Sequence, residues 1–221
     1  IFGLWSLKLI EILEKDIIKN NYRKVEKWAN KIGVKNINVS YDDIIYNYTK
    51  MIELLINGLI DFTWVEYLIY TLVVTQITIM SITLFLHRGV CHSAIEIKPI
   101  LSHFFRFWLW LTTSMKTADW VAIHRKHHAK VETIDDPHSP IVHGINTVLF
   151  RGADLYNEER GNKETIEKYS KNCPNDWVEQ KIYSGKSNFG ILILFVLNIF
   201  LFGVVGIIIW AIQMMWTPIF A

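Results

Sequence analysis

The chain has 221 residues, 51% of them hydrophobic, and its 23 basic and 21 acidic side chains leave a net charge of only +2. So small a charge excess gives no support to nucleic-acid binding, and nine Trp and twelve Phe are more typical of a membrane protein than of a soluble domain. Cys91 and Cys173 lie far apart without a CxxC spacing, which argues against a disulfide framework or a thiolate zinc site and fits a reducing compartment.

The first 62 residues predict an N-terminal region of amphipathic or soluble helices. Five apolar residues recur there at helical spacing with Lys and Glu between them, which indicates helices in water or on a bilayer surface. These residues are Leu7, Ile10, Leu13, Ile17 and Ile18. A polar break at 36–43 follows, and the apolar pattern of 44–60 is interrupted by Lys50 and Glu53, so that it makes a poor membrane span.

Two long apolar segments predict membrane spans in the second region, residues 63–221. Residues 67–86 and 189–221 carry no charged side chain. At about 1.5 Å per residue, the segment 63–86 is long enough to cross a hydrocarbon core of about 30 Å. The segment 189–221 is longer than one straight span needs and has Gly203 and Gly206 near its middle. Two spans joined by a tight turn are therefore predicted, with one long tilted helix as the alternative.

An aromatic segment at 100–115 lies between these spans and is divided by His103 and Arg106. Aromatic side chains favour the headgroup level of a bilayer, so an interfacial helix in the membrane plane is predicted here. Residues 151–188 are charged and predicted to lie in water. The fold class that follows is an all-α, polytopic integral membrane protein with interfacial helices and a histidine-rich metal site at the cytoplasmic face.

Five of the eight histidines fall into two tight clusters, each beside an apolar segment. The first cluster is HRGVCH, with His87 and His92, and the second is HRKHH, with His124, His127 and His128. Neutral imidazole is a ligand for iron, zinc and copper. The second cluster lacks the Glu base of HExxH, which argues against a zinc hydrolase. Five nitrogens also exceed a usual zinc site, so a redox metal and at least two ions are predicted.

Helical geometry predicts different behaviour for the two clusters. On an α-helix the three histidines of HxxHH fall within about 100° and can converge on one point. The five-residue spacing of His87 and His92 separates them by about 140° on such a helix. Either the helix unwinds after His87, which Gly89 would ease, or the two histidines serve different metals.

Three further features of this region have both a functional and an ordinary structural interpretation. Asp135 and Asp136 are candidates to orient ligand imidazoles through hydrogen bonds, or they form a plain Asp-Pro turn. Trp120 lies on the same helical face as His124 and can line a pocket beside the metals, or it is an interfacial tryptophan. Arg125 and its basic neighbours attract an acidic partner, or they form a solvated face.

The sequence resembles the membrane fatty-acyl desaturases of the delta-nine, stearoyl-CoA-desaturase-like family, apparently of bacterial type. The resemblance covers roughly residues 63–221, which it identifies as a fatty acid desaturase domain. Four motifs carry it: HRGVCH at 87–92, SHFFRFWLWLTTSM at 102–115, DWVAIHRKHHAKVET at 119–133, and DDPHSP at 135–140.

The resemblance implies a non-haem di-iron centre that uses O2 and two electrons to introduce a cis double bond into a saturated acyl chain. The implied iron ligands are His87, His92, His124, His127 and His128, and Trp120 matches a residue of the acyl tunnel. A ferredoxin or small haem protein would supply electrons. Animal members place an Arg-Asp pair where this chain has Ala122-Ile123, so coenzyme A, acyl-carrier protein and phospholipid all stay open as the acyl carrier.

The chain begins with Ile1 and stops inside an apolar run at Ala221, from which we expect a fragment of a longer protein. The remaining ligands that the family implies, a single histidine and a third histidine box, are expected beyond Ala221. The fragment itself would then hold iron weakly and be inactive. The expected location is a membrane, by resemblance the bacterial inner membrane, with the metal site facing the cytoplasm.

Two other functions stay open from the sequence. One keeps the metal and changes the reaction, giving a membrane hydroxylase of alkyl, sterol or carotenoid substrates. The other is a membrane metal-binding or transport protein in which the histidines are transit sites. Transport would need polar residues inside the spans, and residues 67–86 and 189–221 offer almost none.

Overall fold

The computed structural model describes residues 19–24, 27, 31 and 41–220. It divides the chain into two compact units, residues 1–57 and 58–221. In the first unit, residues 19–24 and helix α1 (Tyr41–Asn57) are helical. The amphipathic helix predicted around Leu7, Ile10, Leu13, Ile17 and Ile18 lies outside the described residues.

The described part of the chain contains helices and loops and no strand, which confirms the predicted all-α class. In the second unit the long helix α2 begins as an α-helix and continues as a π-helix. The elements of this unit are α2 (Trp64–Ser81, then Ile82–Cys91), α3 (Pro99–Thr113), α4 (Thr117–Ala129), α5 (Pro140–His143), α6 (Ile145–Arg160), α7 (Lys163–Tyr169), a π-helical turn (Glu179–Tyr183) and α8 (Ser187–Phe220).

Two helical stretches have the length and composition of membrane-crossing helices, Trp64–Cys91 with 28 residues and Ser187–Trp216 with 30, although the second reverses at Gly203. They correspond to the two apolar segments in which spans are predicted. The first extends past the predicted end at Leu86, because the π-helical segment continues to Cys91.

Helix α2 has the side-chain distribution of a helix in lipid. Its buried face carries small polar residues, whereas large apolar residues such as Leu68 and Leu72 are exposed. The hydroxyl groups of Thr71, Thr75 and Ser81 each donate a hydrogen bond to the carbonyl four residues earlier. Small residues let neighbouring helices approach closely, while apolar side chains face the acyl chains.

Helix α8 is a hairpin rather than one straight helix. At Gly203 the backbone takes φ 57° and ψ −136°, a conformation that glycine adopts readily. Beyond it the chain reverses, so that Trp210 donates from its indole nitrogen to the carbonyl of Ile191 at 3.2 Å. Asn198 likewise donates to the side-chain oxygen of Gln213 at 3.4 Å. The geometry therefore matches the predicted pair of helices joined by a tight turn.

The end of the first arm of this hairpin is capped by the segment that precedes α2. The backbone N–H groups of Leu59 and Ile60 donate to the carbonyls of Phe200 and Leu201 at 3.1 and 2.9 Å. The last carbonyls of a helix have no partner within the helix, and an unpaired carbonyl in lipid is costly. This contact therefore joins α8 to the start of α2.

Replacement of Gly206 by alanine is expected to destabilise the hairpin. A Cβ atom at Gly206 would overlap the backbone carbonyl of Asn198, and overpacking of this kind typically costs about 1–3 kcal/mol. Thermal unfolding of the purified protein in detergent measures the effect. The nearby Val204→Ala, on an exposed position, is the control and should change stability by less than about 0.5 kcal/mol. Equal unfolding temperatures for Gly206→Ala and wild type would contradict the close approach of the two arms.

Candidate metal centre

Four of the five predicted histidine ligands meet at one point. His87 lies in the π-helical segment of α2, His92 follows the end of that segment, and His124 and His128 lie one turn apart on α4. Their Nε2 atoms are 3.1 Å apart from His87 to His92, 3.2 Å from His92 to His128, and 3.0 Å from His128 to His124. The rings of His87 and His124, with centroids 4.8 Å apart, close the group into a ring of four imidazoles. These four side chains, the tetrad, form a potential metal site.

The π-helix explains how His87 and His92 reach the same point. The N–H of His92 donates to the carbonyl of His87 at 3.0 Å, which is the i to i+5 bond of a π-helix. In this wider helix five residues complete little more than one turn, so the two imidazoles lie on one face. The structure differs here from both predicted alternatives, since the helix widens instead of unwinding and the two histidines share one group.

The spacing of the tetrad fits a single coordinated ion. Imidazole nitrogens bind metals at about 2.0–2.1 Å, and two ligands of one ion at tetrahedral or right angles are then about 3.0–3.4 Å apart. The observed separations of 3.0–3.2 Å fall in this range. With an ion bound, each Nε2 atom would direct its lone pair at the metal. Without an ion, a neutral imidazole has one N–H and can donate it to one neighbour only, so hydrogen bonds alone do not account for all of these short separations.

Burial and neighbouring imidazoles favour the neutral form of His124 and His128, which is the form that binds metal. Burial, helped by the neighbouring imidazoles of His128 and His87, lowers the pKa of His124 to about 3. Burial and the nearby His92 also lower the pKa of His128. A group of cations in one place would repel, and desolvation favours the uncharged ring. At neutral pH the site is therefore poised for a cation.

His127 does not join the tetrad, although the HxxHH spacing allowed it to. Its side chain lies beside the tetrad, in a second group with Asp136 and His138, and its ring centroid is 5.5 Å from that of His128. The Nδ1 atom of His127 is 2.8 Å from Oδ1 of Asp136, and the His127 and His138 rings stack at 4.2 Å. With Nδ1 donating to the carboxylate, Nε2 of His127 carries a lone pair and is free to bind a metal.

Asp136 is buried and tightly held, whereas Asp135 is exposed. Burial alone would raise the pKa of Asp136, but the hydrogen bonds from His127 and from the backbone N–H groups of Glu132 and His138 outweigh it and lower the pKa. Asp135 instead pairs with Lys130 at 3.3 Å on the surface. Of the two aspartates predicted to orient imidazoles, the structure places only Asp136 against one.

His138 was missed as a site residue, because the DDPHSP motif predicts a turn and not a ligand. Burial and the neighbouring His127 lower its pKa to about 4, so it too is neutral at pH 7. Its ring centroid lies 6.4 Å from that of His124. The second group is thus adjacent to the tetrad, as a site for two ions requires.

A cavity of about 550 Å³ opens beside both groups, within the usual size of small-ligand sites. Trp120 lies in its wall and stacks on the His124 ring at 4.6 Å and 14°. Apolar residues line part of the cavity, among them Met115, Ile123, Val148 and Leu149, and polar residues such as Asn157 and Arg160 line the rest. Trp120 thus contacts His124 and lines the cavity, which is the geometry of the first of the two interpretations that the sequence leaves open.

The core beneath the site fixes the position of α4. Val121 and Ala122 are fully buried, and Val121 packs with Phe85 and Leu86 of the π-helical segment in one apolar cluster. The buried face of α4 therefore packs against the π-helical segment of α2. This packing holds together the two elements that carry the tetrad.

Comparison with known proteins gives a partial match. No family model matches the chain, and no solved structure gives a significant match. The chain is 34% identical over 80 residues to delta-9 acyl-lipid desaturase 1 of Arabidopsis thaliana, which covers 36% of this chain and 26% of the relative. It is 32% identical over 110 residues to icosanoyl-CoA 5-desaturase of Limnanthes douglasii, which covers 48% of this chain and 28% of the relative.

A third relative, the chloroplastic palmitoyl-monogalactosyldiacylglycerol delta-7 desaturase of Arabidopsis thaliana, is 33% identical over 63 residues, 28% of this chain and 17% of the relative. The matched segment thus spans about a quarter or less of these curated relatives. The three names agree on desaturation and differ in the carrier of the acyl chain.

Proposed function

We propose, from the premise that this chain is a relative of the delta-9 acyl desaturases, that it forms part of an O2-dependent desaturase that introduces a cis double bond into a saturated acyl chain at a di-iron centre. The observation that supports this most directly is the meeting of four imidazole nitrogens beside a cavity with a partly apolar wall. Imidazole ligands suit iron, and the cavity suits an alkyl chain.

Each part of the site has a defined role in this proposal. The tetrad of His87, His92, His124 and His128 would hold one iron, and His127 with His138 would contribute to a second. Asp136 holds the imidazole of His127 in the orientation that presents Nε2. When bound, the iron pair supplies the oxidising power, with O2, that removes two hydrogens from the chain. The protein binds and orients the alkyl chain and excludes water.

Substrate selection follows from the shape of the cavity, because an alkyl chain offers no polar handle. Trp120 closes the wall next to His124, so its ring limits which carbons approach the histidines. The positions matching the Arg-Asp pair of the animal enzymes, Ala122 and Ile123, are exposed by 0% and 4%. Ala122 is fully buried and Ile123 lines the cavity. Both side chains are apolar, so polar contacts to the acyl carrier have to come from other residues.

The proposed enzyme lies in a membrane, receives electrons from another protein and has its metal site in a reducing compartment. Two helical stretches have the length and composition of membrane-crossing helices, and a ferredoxin or small haem protein would deliver electrons at the face that carries the histidines. Both cysteines are free thiols, which suits a reducing cytoplasm. We therefore place the metal site at the cytoplasmic face, in a bacterial inner membrane.

Expression of the complete reading frame that contains this chain, in a host without its own acyl desaturase, tests the function. Fatty acid methyl esters from the host are analysed by gas chromatography and mass spectrometry. We expect monounsaturated chains with the wild-type sequence and none with His124→Ala, because His124 links the tetrad to the cavity wall. Electron delivery is supplied by co-expression of a ferredoxin and its reductase.

The same analysis separates the alternative functions. Hydroxylated products in place of alkenes would identify a hydroxylase. Unchanged lipids, with altered cellular metal content that depends on His124, would identify metal binding or transport. The structure gives transport little support, since the hydroxyls of Thr71 and Thr75 on the buried face of α2 donate into their own helix.

A further inference from the structure

We propose that Arg125 is a positioning residue that fixes the tetrad by joining the helix that carries His87 to the helix that carries His124 and His128. This inference rests on the metal site proposed above and assigns a role to a residue that contacts none of the ligand imidazoles. From the sequence, Arg125 is one member of a basic run, for which a solvated face is the ordinary interpretation.

The guanidinium of Arg125 makes four hydrogen bonds, all to backbone carbonyls. On one side it donates to the carbonyl of Val90 at 2.7 Å and to that of Cys91 at 3.2 Å. On the other side it donates to the carbonyl of Tyr169 at 2.9 Å and to that of Lys171 at 2.6 Å. An arginine side chain has five N–H donors, so its capacity is almost fully used.

Three of these carbonyls lie at helix C-termini, and the fourth, that of Lys171, lies two residues beyond the end of α7. Val90 and Cys91 end the π-helical segment of α2, and Tyr169 ends α7. The last carbonyls of a helix lack partners within it, and the C-terminus carries partial negative charge. A guanidinium therefore complements both ends at once, by charge and by hydrogen bonding. A lysine, with a compact ammonium and three donors, cannot span four acceptors in this way.

The consequence for the tetrad follows from the chain order. Cys91 immediately precedes His92, and Arg125 immediately follows His124. The Cys91 to Arg125 contact is thus one residue from His92, just after α2, and one residue from His124 on α4. Without the hydrogen bonds from Arg125, the contact between the end of the π-helix and α4 keeps its apolar packing, which is less directional than a hydrogen bond. The spacing of the tetrad nitrogens would then be poorly fixed.

Cobalt binding tests this inference without any turnover. The purified protein in detergent is titrated with Co2+, and the visible absorption bands report both affinity and ligand geometry. We expect Arg125→Gln to lower Co2+ affinity by about 10- to 100-fold, the usual effect of losing a group that orders metal ligands, and to alter the band positions. Arg125→Lys should lie between Arg125→Gln and wild type, with helix content by circular dichroism unchanged.

Lys126→Gln is the matched control. Lys126 has the same charge and is the next residue on α4, but it pairs with Glu159 at 2.9 Å and contacts none of these carbonyls. The Lys126→Gln variant should bind Co2+ with an affinity within about twofold of wild type, since substitutions away from a network of buried contacts have small effects. If Arg125→Gln and Lys126→Gln lose Co2+ affinity to the same extent, the cause is the loss of one positive charge and not the hydrogen bonds of Arg125. That result would overturn the proposal.

The remaining outcomes are distinct. If the wild-type protein binds no Co2+, the proposed metal centre is contradicted, and so is the proposed role of Arg125. If wild type binds Co2+ and Arg125→Lys retains its affinity and spectrum, only the role of Arg125 is overturned. This last result decides the matter even if Arg125→Gln fails to fold.

Discussion

Replacing His92 with alanine lowers the affinity of the protein for Co2+ by more than about 100-fold, beyond the 10- to 100-fold loss expected for a group that only orders ligands. The Nε2 atom of His92 stands between those of His87 and His128, at 3.1 and 3.2 Å. Its loss removes one of the four nitrogens of the tetrad and leaves three imidazoles to hold the ion.

The fold should tolerate this change. His92 is exposed and follows the last residue of the π-helical segment, so no apolar core is disturbed. Competition of Co2+ against a coloured chelator gives the affinity, and circular dichroism reports the helices. His103→Gln is the control, since His103 lies on α3 and contacts Arg106 instead of the tetrad. A Co2+ affinity for His92→Ala equal to that of wild type would remove His92 from the site.

Local spacing predicted which elements carry the ligands but not how they are shared. The HxxHH motif lies on a helix, as its spacing suggests, yet only His124 and His128 face the tetrad while His127 faces Asp136. An ideal helix places all three within about 100°, and the partner that each one meets depends on loops from elsewhere in the chain. The sequence alone could not assign these partners.

The π-helix that joins His87 and His92 has no clear sequence signal. Gly89 suggested a break in the helix, because glycine weakens it. The structure instead keeps the helix and widens it, with the apolar cluster around Phe85 and Leu86 holding it against α4. By contrast, the reversal at Gly203 was predictable, since an apolar run too long for one span needs a residue that tolerates positive φ.

The sequence around His138 and around Arg125 suggests an ordinary structural role for each residue. His138 belongs to an Asp-Pro turn, and turns are usually explained by backbone geometry alone. Arg125 belongs to a basic run, and such runs usually face solvent. In both cases the tertiary partners, His127 for one and carbonyls from two distant segments for the other, decide the role.

Replacing Arg106 with leucine destabilises the protein by about 3–5 kcal/mol, the usual cost of removing one partner of a buried ion pair. Arg106 is only 4% exposed on α3, and its guanidinium donates to Asp176 at 2.6 Å and to Glu179 at 3.1 Å. Glu179 is also 4% exposed, so without the arginine a carboxylate stays buried and unpaired. Denaturant unfolding in detergent, followed by circular dichroism, gives the free energy of unfolding.

Two further variants test the cause. Arg151→Leu breaks a pair with Asp154 whose side chains are 68% and 65% exposed, and it should cost less than about 1 kcal/mol because surface pairs contribute little. Adding Glu179→Gln to Arg106→Leu removes the stranded charge and should restore part of the lost stability. If the double variant is no more stable than Arg106→Leu, the loss comes from packing of the arginine stem and not from the buried charge.

The pH dependence of stability provides a second test of the ion pair between Arg106 and Asp176. Burial alone would raise the pKa of Asp176, but hydrogen bonds from the N–H of Glu179 and from Arg106 outweigh it and hold the pKa below its ordinary value. A carboxyl of this kind contributes stability that is fully present above its unfolded pKa and lost as pH falls through its folded pKa. Because Arg106→Leu removes one cause of the shift, its unfolding free energy should fall less steeply than that of wild type on acidification below about pH 4. Parallel acid profiles for the two proteins would show that Arg106 does not stabilise the ionised form of Asp176.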